Sequence, residues 1–212
     1  MAAGLDSEKS AEIQAAQRLT DRRALRRNLL ERRLALPTDE CTRLSALLRN
    51  HLANSFPQLA GMRVGFCWPV QNEPDLRALL ETWRAAGNAG FSTLLPVVVE
   101  ANAALFFREW TPQTTLIADR YGIPTPVDGD FVQPEALLLP LNAFDAAGYR
   151  IGYGGGYFDR TLAALRQQAK APLAIGVGFE LARVDSIHPE AHDQALDAVV
   201  TEAGVFRTLS KR

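Results

Sequence analysis

Cysteine is scarce in this chain: Cys41 and Cys67 are the only two among 212 residues, and no CxxC occurs. A disulfide framework is therefore excluded, and a reducing compartment is expected. An excess of one charge is lacking as well. Lys and Arg number 23 against 24 Asp and Glu, a formal charge of −1. That balance gives no electrostatic reason to expect nucleic acid or a membrane surface as partner. No apolar run approaches the ~20 residues of a membrane span, and residues 1–19 lack the apolar core of a secretory signal, so the expected location is the cytoplasm. Internal repeats are missing too. With 47% hydrophobic residues the chain can bury one sizeable core, so one domain over residues 20–212 is expected, preceded by an alanine-rich extension over 1–19 expected to be disordered.

What is present is a glycine cluster behind an apolar run. Leu137, Leu138 and Leu139 read as a buried strand, Gly152, Gly154, Gly155 and Gly156 as a loop, and Phe158, Leu162 and Leu165 as the inner face of a helix. Strand, glycine loop and helix make the setting of an anion site, because glycines let a ligand approach the backbone and the helix start offers unpaired N–H groups. GxxxxGK[ST] is absent and GxGxxG fails at Tyr157, so by local pattern a glycine-rich turn without a ligand stays open. Arg150, Tyr157 and Asp159 add a cation, a ring and a carboxylate within ten residues.

The remaining pattern alternates helices and strands. Helices are predicted over 11–36, 38–54 and 74–86, and strands over 62–67, 92–99, 104–110, 171–179 and 197–201. This implies a three-layer α/β/α protein with a largely parallel sheet. The first helix is rich in arginine, which usually means a solvated face, but Arg22 and Arg26 lie one turn apart beside Leu25 and Leu29. Glu73 falls in a loop after a predicted strand, where α/β proteins place ligands; a solvated acid or a helix-start charge is the plainer reading. His188, His192 and Asp193 invite a zinc site, against which stand Pro189 and the absence of HExxH.

GYRIGYGGGYFDRTL closely resembles the signature of the 5-formyltetrahydrofolate cyclo-ligase family, also called methenyltetrahydrofolate synthetases, approximately GxRxGxGxGYYDR. Phe158 stands where that pattern has a second Tyr. The resemblance runs from Thr20 to Glu202 and implies a Rossmann-like single domain that closes 5-formyltetrahydrofolate to 5,10-methenyltetrahydrofolate at the expense of MgATP. It carries ATP contacts onto Arg22 and Arg26, which match the family's KxxLR with Arg in the place of Lys, and onto Arg150, Gly152, Tyr153, Gly154, Gly155, Gly156, Tyr157 and Phe158. It implies folate contacts at Glu73, Trp110 and Tyr157, catalytic roles for Arg150 and Tyr157, and Mg²⁺ ligands at Asp159 and Asp193. A monomer that binds neither nucleic acid nor membrane is expected. A small-molecule kinase or nucleotide-binding regulator, and a non-catalytic folate- or RNA-binding relative, are the alternative classes.

Overall fold

The computed structural model describes the backbone of residues 2–208, with side chains from residue 17 onward apart from residue 18. The helices are α1 (Ala2–Leu34), α2 (Thr38–Ser55), α3 (Arg77–Ala85) and α4 (Tyr157–Leu165). Before α3 come β1 (Arg63–Gly65) and after it β2 (Ser92–Val97), β3 (Phe106–Trp110), β4 (Leu116–Ala118), β5 (Pro124–Pro126), β6 (Ala136–Pro140), β7 (Ala143–Phe144) and β8 (Arg150–Ile151). After α4 follow β9 (Leu173–Val177), β10 (Ala198–Thr201) and β11 (Gly204–Arg207). The backbone of α1 is helical through most of the segment read as a separate extension, and the side chains of residues 2–16 lie outside the described residues.

Seven strands form one sheet in the order β11–β10–β9–β6–β1–β2–β3. The five inner strands run parallel, and β3 and β11 turn back antiparallel at the two edges. The inner strands are apolar at consecutive positions because both faces are covered. On β6, Leu138 enters one core cluster while Leu137 and Leu139 enter the other. The first cluster receives Leu48 and Leu52 from α2 and Leu80 and Trp83 from α3; the second receives Leu162 and Leu165 from α4. These are the helical layers of the expected architecture.

The chain then departs from the even alternation read in the sequence. Two small hairpins, β4–β5 and β7–β8, stand apart from the main sheet. Their strands are two or three residues long, too short to display a period. Helix α3 starts three residues later than Pro74, where the Asp75 carboxylate accepts the Arg77 N–H at 3.0 Å. Helix α1 crosses the β7–β8 hairpin, packing Leu29 against Ala143 and Ile151. No helix among the described residues is long and apolar enough to cross a membrane.

Leu138 sits at 1% exposure in the middle of this sheet, whereas Ile117 on β4 is 54% exposed. Leu138→Ala should therefore lower the unfolding free energy by about 2–5 kcal/mol, and Ile117→Ala by less than about 0.5 kcal/mol, read from denaturant midpoints.

Candidate active site

The carboxyl end of β6 sets the centre of the site. Past Pro140 the chain turns into the β7–β8 hairpin, whose bend is fixed by Asp145. The buried Asp145 carboxylate accepts the N–H groups of Ala147 and Tyr149, both at 3.1 Å, and that of Ile187 at 3.2 Å. With the hairpin held, β8 delivers Arg150 into the interior, 4% exposed, and releases the chain into the glycine loop 152–156. Arg150 donates to Asp159 Oδ1 at 2.9 Å across that loop and lies beneath the Phe158 ring, 6.0 Å from its centroid.

The glycines answer to two needs. Gly154 and Gly156 adopt φ of +96° and +63°, a region open to glycine at little cost. A Cβ on Gly154 would also lie 3.4 Å from the Arg26 guanidinium, so the loop and α1 are in close contact there. Arg26 Nε donates to the Gly152 carbonyl at 2.7 Å, while its two terminal nitrogens have no hydrogen bond among the described residues. Burial, and then the neighbouring Arg22 and Arg23, disfavour the Arg26 charge. An anion in this place would relieve both.

Arg22, one turn earlier on α1, points at a carboxylate instead. It binds Asp193 in a fork, at 2.6 Å to Oδ2 and 3.2 Å to Oδ1, and donates to the His188 carbonyl at 3.1 Å. That bond holds the guanidinium proton more firmly than usual. Burial acts to raise the Asp193 pKa, but the Arg22 fork and the Glu190 N–H together bring it below the ordinary value. Asp159 reaches the segment that carries Asp193: its Oδ1 accepts the N–H of the next residue, Gln194, at 3.2 Å. No group of three or more His, Cys, Asp or Glu suited to a metal occurs among the described residues, and the His192 side chain is 68% exposed. Two hard carboxylates, with Asp159 Oδ2 making no protein hydrogen bond among the described residues, suit a Mg²⁺ that takes its other ligands from water and phosphate.

On the far side of the glycine loop stands Glu73. It is 7% exposed, not a solvated loop acid. Its Oε2 accepts the Val70 N–H at 3.0 Å and its Oε1 the Tyr153 hydroxyl at 2.5 Å. The loop that carries it holds Gln71 and Asn72 at φ of +51° and +58°, conformations unusual away from glycine. Burial pushes the Glu73 pKa up, with the two hydrogen bonds and Arg33 opposing it. Tyr153 in turn is pushed well above its ordinary value, by burial and by Glu73.

The structure thus gathers Glu73, Arg22, Arg26, Arg150, the loop 152–156, Asp159 and Asp193 along one end of the sheet. Tyr157 opens α4 beside them, with its hydroxyl 2.8 Å from that of Tyr121 and its ring under Arg160; the tyrosine in contact with Glu73 is Tyr153. Trp110 is not brought to the loop. It is 3% exposed, its ring packed edge-on against Phe66 and Trp68, because β3 turns that face into the core. Arg33 was missed in the sequence. It donates to the carbonyls of Gln71 at 2.9 Å and Leu141 at 3.0 Å and to the Tyr153 hydroxyl at 2.7 Å. Its signal was spacing: Arg22, Arg26 and Arg33 fall at i, i+4 and i+11, one helix face, and were lost among the other arginines.

A parallel sheet with a cation-lined glycine loop and paired carboxylates at its carboxyl end defines an α/β enzyme built to handle an anionic substrate. The model of the 5-formyltetrahydrofolate cyclo-ligase family matches residues 18–202, and the chain belongs to that family. The 5-formyltetrahydrofolate cyclo-ligase of Escherichia coli (strain K12) is 31% identical over 183 residues, covering 83% of this chain and 97% of the relative. That of Mycolicibacterium smegmatis is 30% identical over 186 residues, covering 84% and 91%. Among solved structures, the 5,10-methenyltetrahydrofolate synthetase of Aquifex aeolicus superposes with a TM-score of 0.73 at 29% identity, over 90% of this chain and 94% of that one.

The raised Glu73 pKa has a consequence for stability. Its native carboxyl binds a proton more readily than the unfolded one, so its unfavourable contribution is absent at low pH and grows as pH rises through the native pKa. The denaturant midpoint of the parent protein relative to Glu73→Gln should therefore be more favourable at about pH 5 than at about pH 8.

Proposed function

We propose that the chain converts 5-formyltetrahydrofolate to 5,10-methenyltetrahydrofolate, with ATP cleaved to ADP and phosphate. The observation that carries this reading is the convergence of Arg26, the glycine loop and the Asp159–Asp193 pair on one side of Tyr153, with the buried acid Glu73 on the other. One side suits phosphate, the other the donor-rich edge of a pterin.

An amide oxygen is a poor leaving group, so ring closure needs it converted to a phosphate. The N5-formyl oxygen attacks the γ-phosphorus and ADP departs. N10 then attacks the activated formyl carbon, closing the five-membered ring; the carbon–oxygen bond breaks, phosphate leaves with the former formyl oxygen, and N10 loses its proton. Phosphoryl transfer of this kind depends mainly on positioning and charge neutralisation. The free terminal nitrogens of Arg26 and the N–H groups of the loop and of the α4 start bind the phosphates. Asp159 and Asp193 would hold Mg²⁺, which when bound lowers the charge on the phosphate oxygens. Arg150, buried against Asp159, orients that carboxylate, and Glu73 accepts hydrogen bonds from the pterin. Arg22 neutralises Asp193 and sits one turn from the phosphate-facing Arg26.

The first test is the ultraviolet absorbance of methenyltetrahydrofolate when the purified protein meets 5-formyltetrahydrofolate with MgATP; product should appear only with both ATP and Mg²⁺ present. ATP binding without product would remove the folate reading. In the same assay Asp159→Asn should lower turnover by about a hundredfold or more and recover in part at high Mg²⁺; undiminished activity would take Asp159 out of the site. Glu73→Gln should raise the folate KM more than the ATP KM, and the reverse pattern would assign it to the nucleotide.

A further inference from the structure

Tyr153 occupies a position that the phosphate chemistry does not require. It lies inside the glycine loop, between Gly152 and Gly154, and yet its hydroxyl reaches away from the loop to Glu73, 80 positions earlier in the chain. That hydroxyl has both of its roles filled. It accepts from Arg33, a residue 4% exposed whose guanidinium is anchored on two carbonyls, and it donates to Glu73 Oε1. The residue as a whole is 44% exposed, and the Arg33 guanidinium lies 5.9 Å from its ring centroid. A half-exposed residue on a glycine loop thus ends in a hydrogen bond to a buried acid.

The direction of the contacts matters. Arg33 is a fixed point, held by Gln71 and Leu141 whatever the loop does. Tyr153 stands between Gly152 and Gly154 on the loop that Arg26 grips through the Gly152 carbonyl, so what binds the loop backbone bears on where the Tyr153 side chain lies. The Glu73 carboxylate is held by one hydrogen bond on each oxygen, from the Val70 N–H to Oε2 and from Tyr153 to Oε1. Fixing the loop therefore fixes the Glu73 carboxylate, and loosening it frees one of the two oxygens.

We infer that Tyr153, backed by Arg33, is a positioning residue that orients Glu73 in response to phosphate on the glycine loop, so that nucleotide binding prepares the acid for the second substrate. The inference rests on the nucleotide and folate reading given above and specifies the order of events within it. Nucleotide and folate binding are positively coupled, and the coupling runs through one hydroxyl. Coupling of this kind is reciprocal, so folate tightens nucleotide by the same factor.

The test compares the parent protein with Tyr153→Phe, which keeps the ring and deletes the hydroxyl. The ratio of 5-formyltetrahydrofolate Kd without and with a non-hydrolysable ATP analogue and Mg²⁺ is read by calorimetry. A ratio of about fivefold or more is expected for the parent and about twofold or less for Tyr153→Phe. A merely structural role would weaken both affinities and leave the ratio standing. In parallel, hydrogen exchange of the 68–75 segment is followed with the analogue alone; the analogue should slow it in the parent and leave it unchanged in Tyr153→Phe. An undiminished ratio in Tyr153→Phe, or no response of the segment in the parent, overturns the inference. Should 5-formyltetrahydrofolate fail to bind while the analogue still protects 68–75 through the hydroxyl, the link from loop to acid stands and the folate reading falls.

Discussion

A buried guanidinium holds this site together. A charge with so little access to water is tolerated only where its donors are matched, and Arg33 finds its partners on three separate segments: the loop that carries Glu73, the end of the central strand at Leu141, and the glycine loop at Tyr153. None of these is its neighbour in sequence. Satisfying one side chain therefore fixes where α1 lies on the carboxyl end of the sheet, and with it the direction of Arg22 and Arg26. Asn72 completes the seam, donating to the carbonyls of Arg33, Leu34 and Leu36 where α1 ends and its own carbonyls lack helical partners.

The second feature of the site is that its charges answer one another. Arg22 is spent on Asp193 and Arg150 on Asp159, so the two candidate metal ligands are each held by a cation. Among the described residues Arg26 keeps its two terminal nitrogens without a hydrogen bond, and the buried Arg150 Nε has none either. The carboxylates are consequently held in place by the cations beside them, in charge-assisted hydrogen bonds.

Much of the fold was legible because the inner strands are buried on both faces and so read as unbroken apolar runs: Leu137 to Leu139 is the clearest. The edge strand β11 was not read, since Val205 and Phe206 are too few to show a period; nor were β4, only three residues long, and β5, whose two prolines look like loop. In the site, the glycine loop and Asp159 were legible because they form one contiguous and chemically mixed stretch. Arg33 and Tyr153 as partners of Glu73 were not, because their meaning lies in contacts between distant segments. Trp110 shows the opposite failure: an aromatic residue suited to stacking on a pterin is, by the register of β3 on β2, turned to the inside against Phe66.

The Arg22–Asp193 contact joins residues 171 positions apart, and that separation bears on how the protein is made. Helix α1 emerges from the ribosome early, with its inward face of Leu25, Leu29 and the three arginines lacking any of the surfaces it will meet. Strand β6 with Leu141 just beyond it, the glycine loop and then Asp193 are synthesised only afterwards, and a long loop has to close before α1 meets them. Helix α1 thus gains its full set of polar partners only once Asp193 has been made, and a chain that stops short of it has an incomplete site.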